Sequence, residues 1–120
     1  MAWLKCDNGG GSKEPITISH VDLYSNTVYN QNIGATFEIH CKNYNNLYIE
    51  KVMLPTNDCY VRIEAYTGDE SFLVADITRI ITDGVNYNIS SYDKILIRAR
   101  ATLDVAWSGT LYLDNMILSV

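Results

Sequence analysis

Basic charge is scarce in this chain: nine Lys and Arg stand against fourteen Asp and Glu, a formal net charge of −5 over 120 residues. A phosphate-binding surface needs clustered cations to displace counterions, so neither nucleic acid nor an anionic membrane is an expected partner. The closest basic grouping, Lys94, Arg98 and Arg100, lies within one apparent strand and is balanced by Asp93 and Asp104, the pattern of a solvated strand face. Long apolar runs are missing too. No stretch approaches transmembrane length, so membrane insertion is not expected. Residues 1–8 turn polar within a few positions and lack the apolar core of a secretory signal, so the expectation is a product made in the cytoplasm without a signal peptide. Cysteine is limited to Cys6, Cys41 and Cys59, with no C-x-x-C pair, which fits reduced thiols. Cys41 and Cys59 read as small core residues. Asn88-Ile89-Ser90 then reads as a chance sequon.

Histidine occurs only at His20 and His40, each inside a strand pattern. Nucleophilic catalysis needs a nucleophile beside a base that a third group orients, and no G-x-S-x-G elbow is present. His20 and Asp22 are two apart and can share a strand face, yet a structural histidine is the plainer reading. Cys6, His20, His40, Cys41 and Cys59 lack zinc-ligand spacing, and no D-x-D-x-D-G calcium loop occurs. No catalytic residue, metal or cofactor is therefore expected, and the chain reads as a module that binds or assembles. Paired carboxylates of a glycosidase are a three-dimensional arrangement, so a small hydrolase or isomerase in a β-sandwich stays as a third class.

What the chain does have is β-branched and aromatic residues in short runs, broken by turn residues at roughly ten-residue spacing, with no sustained helical period. In Cys59–Tyr66, Cys59, Val61, Ile63 and Ala65 face one way while Tyr60, Arg62, Glu64 and Tyr66 face the other. From Lys94 to Leu103, Ile95, Ile97, Ala99, Ala101 and Leu103 fall inward and Arg98, Arg100 and Thr102 outward. Phe37, Ile39 and Cys41 continue the pattern. Asp83-Gly84 predicts a hairpin between Ile77–Ile81 and Val85–Ile89, although Val74–Ile81 also suits a helical turn. With Ile16–Tyr24, Leu47–Leu54, Ser71–Ala75 and Thr110–Val120, about eight to ten strands result. The expected fold is all-β: an antiparallel β-sandwich of jelly-roll type over residues 15–120. Residues 1–14 read as a flexible N-terminal arm with the Gly9-Gly10-Gly11-Ser12 linker, and residues 25–34 as a long loop or weak edge strand.

Nine tyrosines and two tryptophans say more about contacts than the charges do. An aromatic ring offers an apolar face with a polar edge, suited to sugars and to protein interfaces. The outward row Tyr60, Arg62, Glu64, Tyr66 is thus either a binding platform or a set of cross-strand pairs that stabilises the sheet. Trp107 either packs in the core or lines one end of the sandwich with Tyr112. Asn43, Tyr44, Asn45 and Asn46 read as a polar, aromatic loop tip of the kind that carries binding or simply suits a turn. The candidate ligand-binding residues are Tyr60, Arg62, Glu64, Tyr66 and Trp107.

The stretch from Tyr92 to Arg100, followed by Trp107-Ser-Gly-Thr-Leu-Tyr-Leu-Asp-Asn-Met-Ile-Leu, resembles the closing strands of jelly-roll carbohydrate-binding modules. In such modules the aspartate corresponding to Asp114 often helps hold a structural calcium, but no acidic partner for it is legible here. The opening Trp3-Leu4 with its glycine linker and a compact β domain is similar to small tail-associated proteins of phages and prophages. That resemblance implies self-association, often as trimers, or contact with other virion proteins, a virion-associated location, and contact with host glycans. The expected function is a non-catalytic structural or adhesion module of a phage or prophage tail or virion. The alternative is a stand-alone, lectin-like carbohydrate-binding module.

Overall fold

A computed structural model describes residues 2–5, 14–24, 36–40, 44–90, 92–102, 107 and 109–120. Among them are nine strands and no helix: β1 (Ala2–Lys5), β2 (Ile16–Tyr24), β3 (Thr36–His40), β4 (Asn46–Met53), β5 (Cys59–Thr67), β6 (Glu70–Ile77), β7 (Val85–Asn88), β8 (Lys94–Ala101) and β9 (Thr110–Ser119). They form two sheets, ordered β1-β3-β8-β5-β6 and β2-β9-β4-β7. β1 runs parallel to β3, and every other pairing is antiparallel. The protein is the all-β sandwich that period-two alternation predicts, since one apolar face per strand needs cover. Four of the six antiparallel pairings are nested: β2 with β9, β3 with β8, β4 with β7 and β5 with β6.

The core is aliphatic and lies between the sheets. Ile39, Val61, Ile63, Ile95 and Ile97 come from one, and Leu47, Ile49, Val52, Leu111, Leu113, Met116 and Leu118 from the other. In the second sheet the alternation slips at one level in three neighbouring strands. Met116 pairs with Ile18 and Ile49 on one side of the slip, and Leu113 pairs with Val21 and Val52 on the other. Between them Asn115 takes φ 54° and donates its side-chain Nδ2 to Glu50 Oε1 at 2.6 Å. Asparagine tolerates that left-handed conformation better than most residues. Because all three strands shift phase together, their registers stay in step and His20, Asp114 and Lys51 all reach the outer face.

The sequence reading needs correction at two turns. Residues 77–81 and 85–89 do not form a hairpin about Asp83-Gly84. β6 ends at Ile77 in one sheet and β7 belongs to the other, so the segment crosses between sheets with a single bridge from Ile81 to Val52. Ile77 and Ile81 are both buried, and that burial takes the chain into the core instead of along one ladder. Gly84, at φ 81°, still makes the turn, and its N–H donates to the Glu50 carbonyl at 3.1 Å. Tyr44 is likewise no part of a loop tip: it is buried, and its hydroxyl donates to the Glu14 carbonyl at 2.9 Å. Within the expected arm, Ala2–Lys5 forms β1. Cys6, the glycine linker, residues 25–34, Cys41, Asn43 and Leu103 lie outside the described residues.

Candidate functional site

Four of the five sequence-predicted contact residues come together on the outer face of the larger sheet. Tyr60, Arg62, Glu64 and Tyr66 are half-buried, while Cys59, Val61, Ile63 and Ala65 between them are buried. Strict alternation along β5 dictates this. Across the ladder the four stand opposite Arg100, Arg98, Leu96 and Lys94 of β8. β3 adds Glu38 opposite Leu96, and β6 adds Asp76 opposite Arg62. A bulge at Val74 lies between the Ala75–Ile63 and Leu73–Glu64 pairs, so two residues of β6 oppose one step of β5 there. Trp107 does not join the row. It is 7% exposed and belongs to the core cluster.

Arg62 and Arg98 are direct neighbours, and like charges so placed repel. Each is turned to a carboxylate. Arg62 Nε donates to Asp76 Oδ1 at 2.8 Å and Nη2 donates to Oδ2 at 3.1 Å, a fork that favours the charged guanidinium and raises its pKa. Arg98 Nε lies 2.7 Å from Glu64 Oε1, yet neither atom is in a hydrogen bond although both are buried. Short distance without alignment makes that pair a Coulombic contact. His40 Nε2 and Glu38 Oε1 are 2.8 Å apart. The two tyrosines carry cations over their rings: Arg62 at 5.8 Å from the Tyr60 centroid and Lys94 at 4.5 Å from that of Tyr66.

A second polar cluster sits on the opposite outer face. His20 Nδ1 is 2.5 Å from Asp114 Oδ1 and its Nε2 is 2.7 Å from Asp22 Oδ1, with the Tyr112 ring 5.3 Å away and Lys51 over that ring. A neutral imidazole has one N–H, so serving two carboxylates requires the imidazolium. Its pKa is raised above the ordinary 6.5, first by the Asp114 hydrogen bond and then by that of Asp22. A raised folded-state value means that the stabilisation is complete below 6.5 and is lost as pH rises through the folded value. The melting temperature of the parent should therefore exceed that of His20→Gln most just below pH 6.5, with the gap closing at higher pH. A proton NMR titration should place His20 above 6.5, and Asp114→Asn should lower it more than Asp22→Asn. A gap that widens with pH would contradict this assignment. The i, i+2 spacing made the Asp22 contact legible, whereas Asp114 is 94 residues away and only strand pairing brings it in.

A cavity of about 140 Å³ opens beside the β6 terminus, lined by Ile77, Arg79, Ile81, Val85 and Tyr87 among others. That is well under the few hundred Å³ of an ordinary small-molecule pocket. Burial raises the Tyr87 pKa there. Cys59, the one described cysteine, is a buried free thiol whose pKa burial also pushes up. No protein-family model matches the chain, and no curated protein or solved structure matches it.

Proposed function

We propose that the protein is a non-catalytic structural or adhesion module of jelly-roll type, of the kind found in phage or prophage tails and virions, which contacts glycans through the outer face of its larger sheet. One observation carries the glycan contact: Tyr60 and Tyr66 flank Arg62 and Glu64 on a rigid face, with Arg100, Arg98 and Lys94 in the facing strand. Rings supply apolar area for a sugar face, and the charged groups between them supply hydrogen bonds. The nested pairs β2–β9, β3–β8, β4–β7 and β5–β6 support the jelly-roll reading, because rolling one long antiparallel ribbon yields that pairing. The phage setting rests on the resemblance of the N-terminal segment. A stand-alone lectin-like module would use the same face. Sedimentation separates the two, since an assembled module is an oligomer, a trimer by that resemblance, and a lectin need not be.

Replacing Tyr60 and Tyr66 together by alanine tests the face. Each loses a cation–π contact worth about 0.5–1 kcal/mol at an exposed site, so the fold should persist with a modestly lower melting temperature. Binding to whichever saccharide a glycan array identifies for the parent should fall at least about tenfold. A folded double variant that binds as tightly as the parent would remove this face from consideration.

A further inference from the structure

We infer that the glycan taken by this face is an acidic polysaccharide, bound lengthwise along the β5–β8 ladder with its anionic groups at two tyrosine–cation pairs, Tyr60–Arg100 and Tyr66–Lys94. The inference rests on the glycan-binding reading above and adds the chemical class of the ligand. It follows from how charge is used on the face. Four of the nine basic residues, Arg62, Lys94, Arg98 and Arg100, lie there in a chain of net charge −5. The outward carboxylates within strands β3, β5 and β6 are already engaged: Asp76 by Arg62, Glu64 by Arg98 and Glu38 by His40. That leaves two cations without a carboxylate among the described residues, and they stand at opposite ends of the row.

Each of these cations has a tyrosine directly across the ladder. Tyr60 pairs with Arg100, and Tyr66 pairs with Lys94, whose ammonium sits over its ring. Arg100 Nε is buried and has no hydrogen-bond partner. That atom is sealed from solvent, so a ligand oxyanion would meet the guanidinium at its terminal nitrogens and offset its charge there. A guanidinium also matches the two oxygens of a carboxylate or sulfate in a fork. Six residues along a strand separate the two pairs by about 20 Å, too far for one sugar and suited to a linear polymer with repeating charge. Nucleic acid is also a linear polyanion, but it presents a charge at every nucleotide and needs more free cations than two. The acidic remainder of the surface disfavours polyanions elsewhere, so binding should be confined to this face.

Calorimetric titration of the full chain at low ionic strength, with hyaluronan, dextran sulfate, carboxyl-reduced hyaluronan, neutral dextran and oligo(dT), tests this. Hyaluronan or dextran sulfate should bind at least about tenfold more tightly than its neutral counterpart, and the two separate carboxylate from sulfate as the preferred group. Arg100→Gln and Lys94→Gln should each weaken binding about tenfold, and Arg79→Gln, at the cavity beside β6, should leave it unchanged. Should a variant not fold, competition on the parent decides: glucuronate should displace the polymer and glucose should not. Neutral dextran binding as tightly as dextran sulfate, lost only in the Tyr60→Ala/Tyr66→Ala variant, would overturn the acidic class and leave the glycan reading standing. Failure of every saccharide to bind would overturn both. Tighter binding of oligo(dT) than of any saccharide would give the face to nucleic acid instead.

Discussion

Trp107→Ala should lower the free energy of unfolding by about 3–5 kcal/mol, the range for deleting a large buried aromatic side chain. Trp107 stands just ahead of β9, 7% exposed and inside the cluster that unites both sheets. Its removal takes away apolar area from the core and leaves a cavity that the neighbouring strands, fixed by their ladders, cannot close completely. A domain of this size is stabilised by about 5–15 kcal/mol in total, so the variant should be partly unfolded at moderate temperature. Urea denaturation followed by circular dichroism measures the difference, with Trp107→Phe expected to retain a good part of the loss. A cost below about 1 kcal/mol would mean that the ring packs at the surface. Any weakening of glycan binding in Trp107→Ala should track the unfolded fraction, whereas weakening in Tyr60→Ala/Tyr66→Ala should occur in a folded protein. The two outcomes separate a core tryptophan from a contact tyrosine.

How legible the molecule was depended on how local the determining physics is. β5 alternates without interruption, and both its extent and the outward row Tyr60, Arg62, Glu64, Tyr66 can be read from the chain. β8 was legible as a strand with Arg98 and Arg100 outward, but the carboxylates facing them were not: Asp93 and Asp104 are its near neighbours in sequence, while Asp76, Glu64 and Glu38 are the ones that strand pairing brings to that face. The nearest acids along a strand are poor guides to ion pairs, because a ladder selects partners from other strands. The slip in the second sheet was hidden for a related reason. It needs a simultaneous change of phase in β2, β4 and β9, and each one alone looks like imperfect alternation. The Asp83-Gly84 pair correctly marked a turn, but whether a turn joins one ladder or two sheets depends on where Ile77 and Ile81 are buried, which is a property of the whole core. Trp107 is ambiguous in sequence because an aromatic residue beside a turn suits both a core edge and a rim.

Gly109→Ala should be more damaging than a glycine substitution at a turn usually is, at about 2–4 kcal/mol. Two costs combine there. The residue sits at φ 93°, outside the conformations that a side chain tolerates, which costs roughly 1–2 kcal/mol for an L-residue. A Cβ would also lie 2.8 Å from Pro55 Cβ, and overpacking of that kind adds about 1–3 kcal/mol. A proline ring cannot rotate away, so the strain must be taken up by backbone at the start of β9. The same substitution at Gly68 isolates the backbone part: φ is 61° and no atom lies within 4 Å of the added carbon. At Gly84 the added carbon would meet the Tyr48 ring, with Cε1 at 2.8 Å, but a half-buried tyrosine can swing outward and soften the clash. The expected order of destabilisation in urea is therefore Gly109, then Gly84, then Gly68. Because β9 pairs with both β2 and β4, loss at Gly109 should also loosen the centre of the smaller sheet, visible as faster hydrogen exchange at Leu111 and Leu113. Equal costs at Gly109 and Gly68 would show that the Pro55 contact is relieved without strain, and that the approach of the turn to this proline does not fix the start of β9.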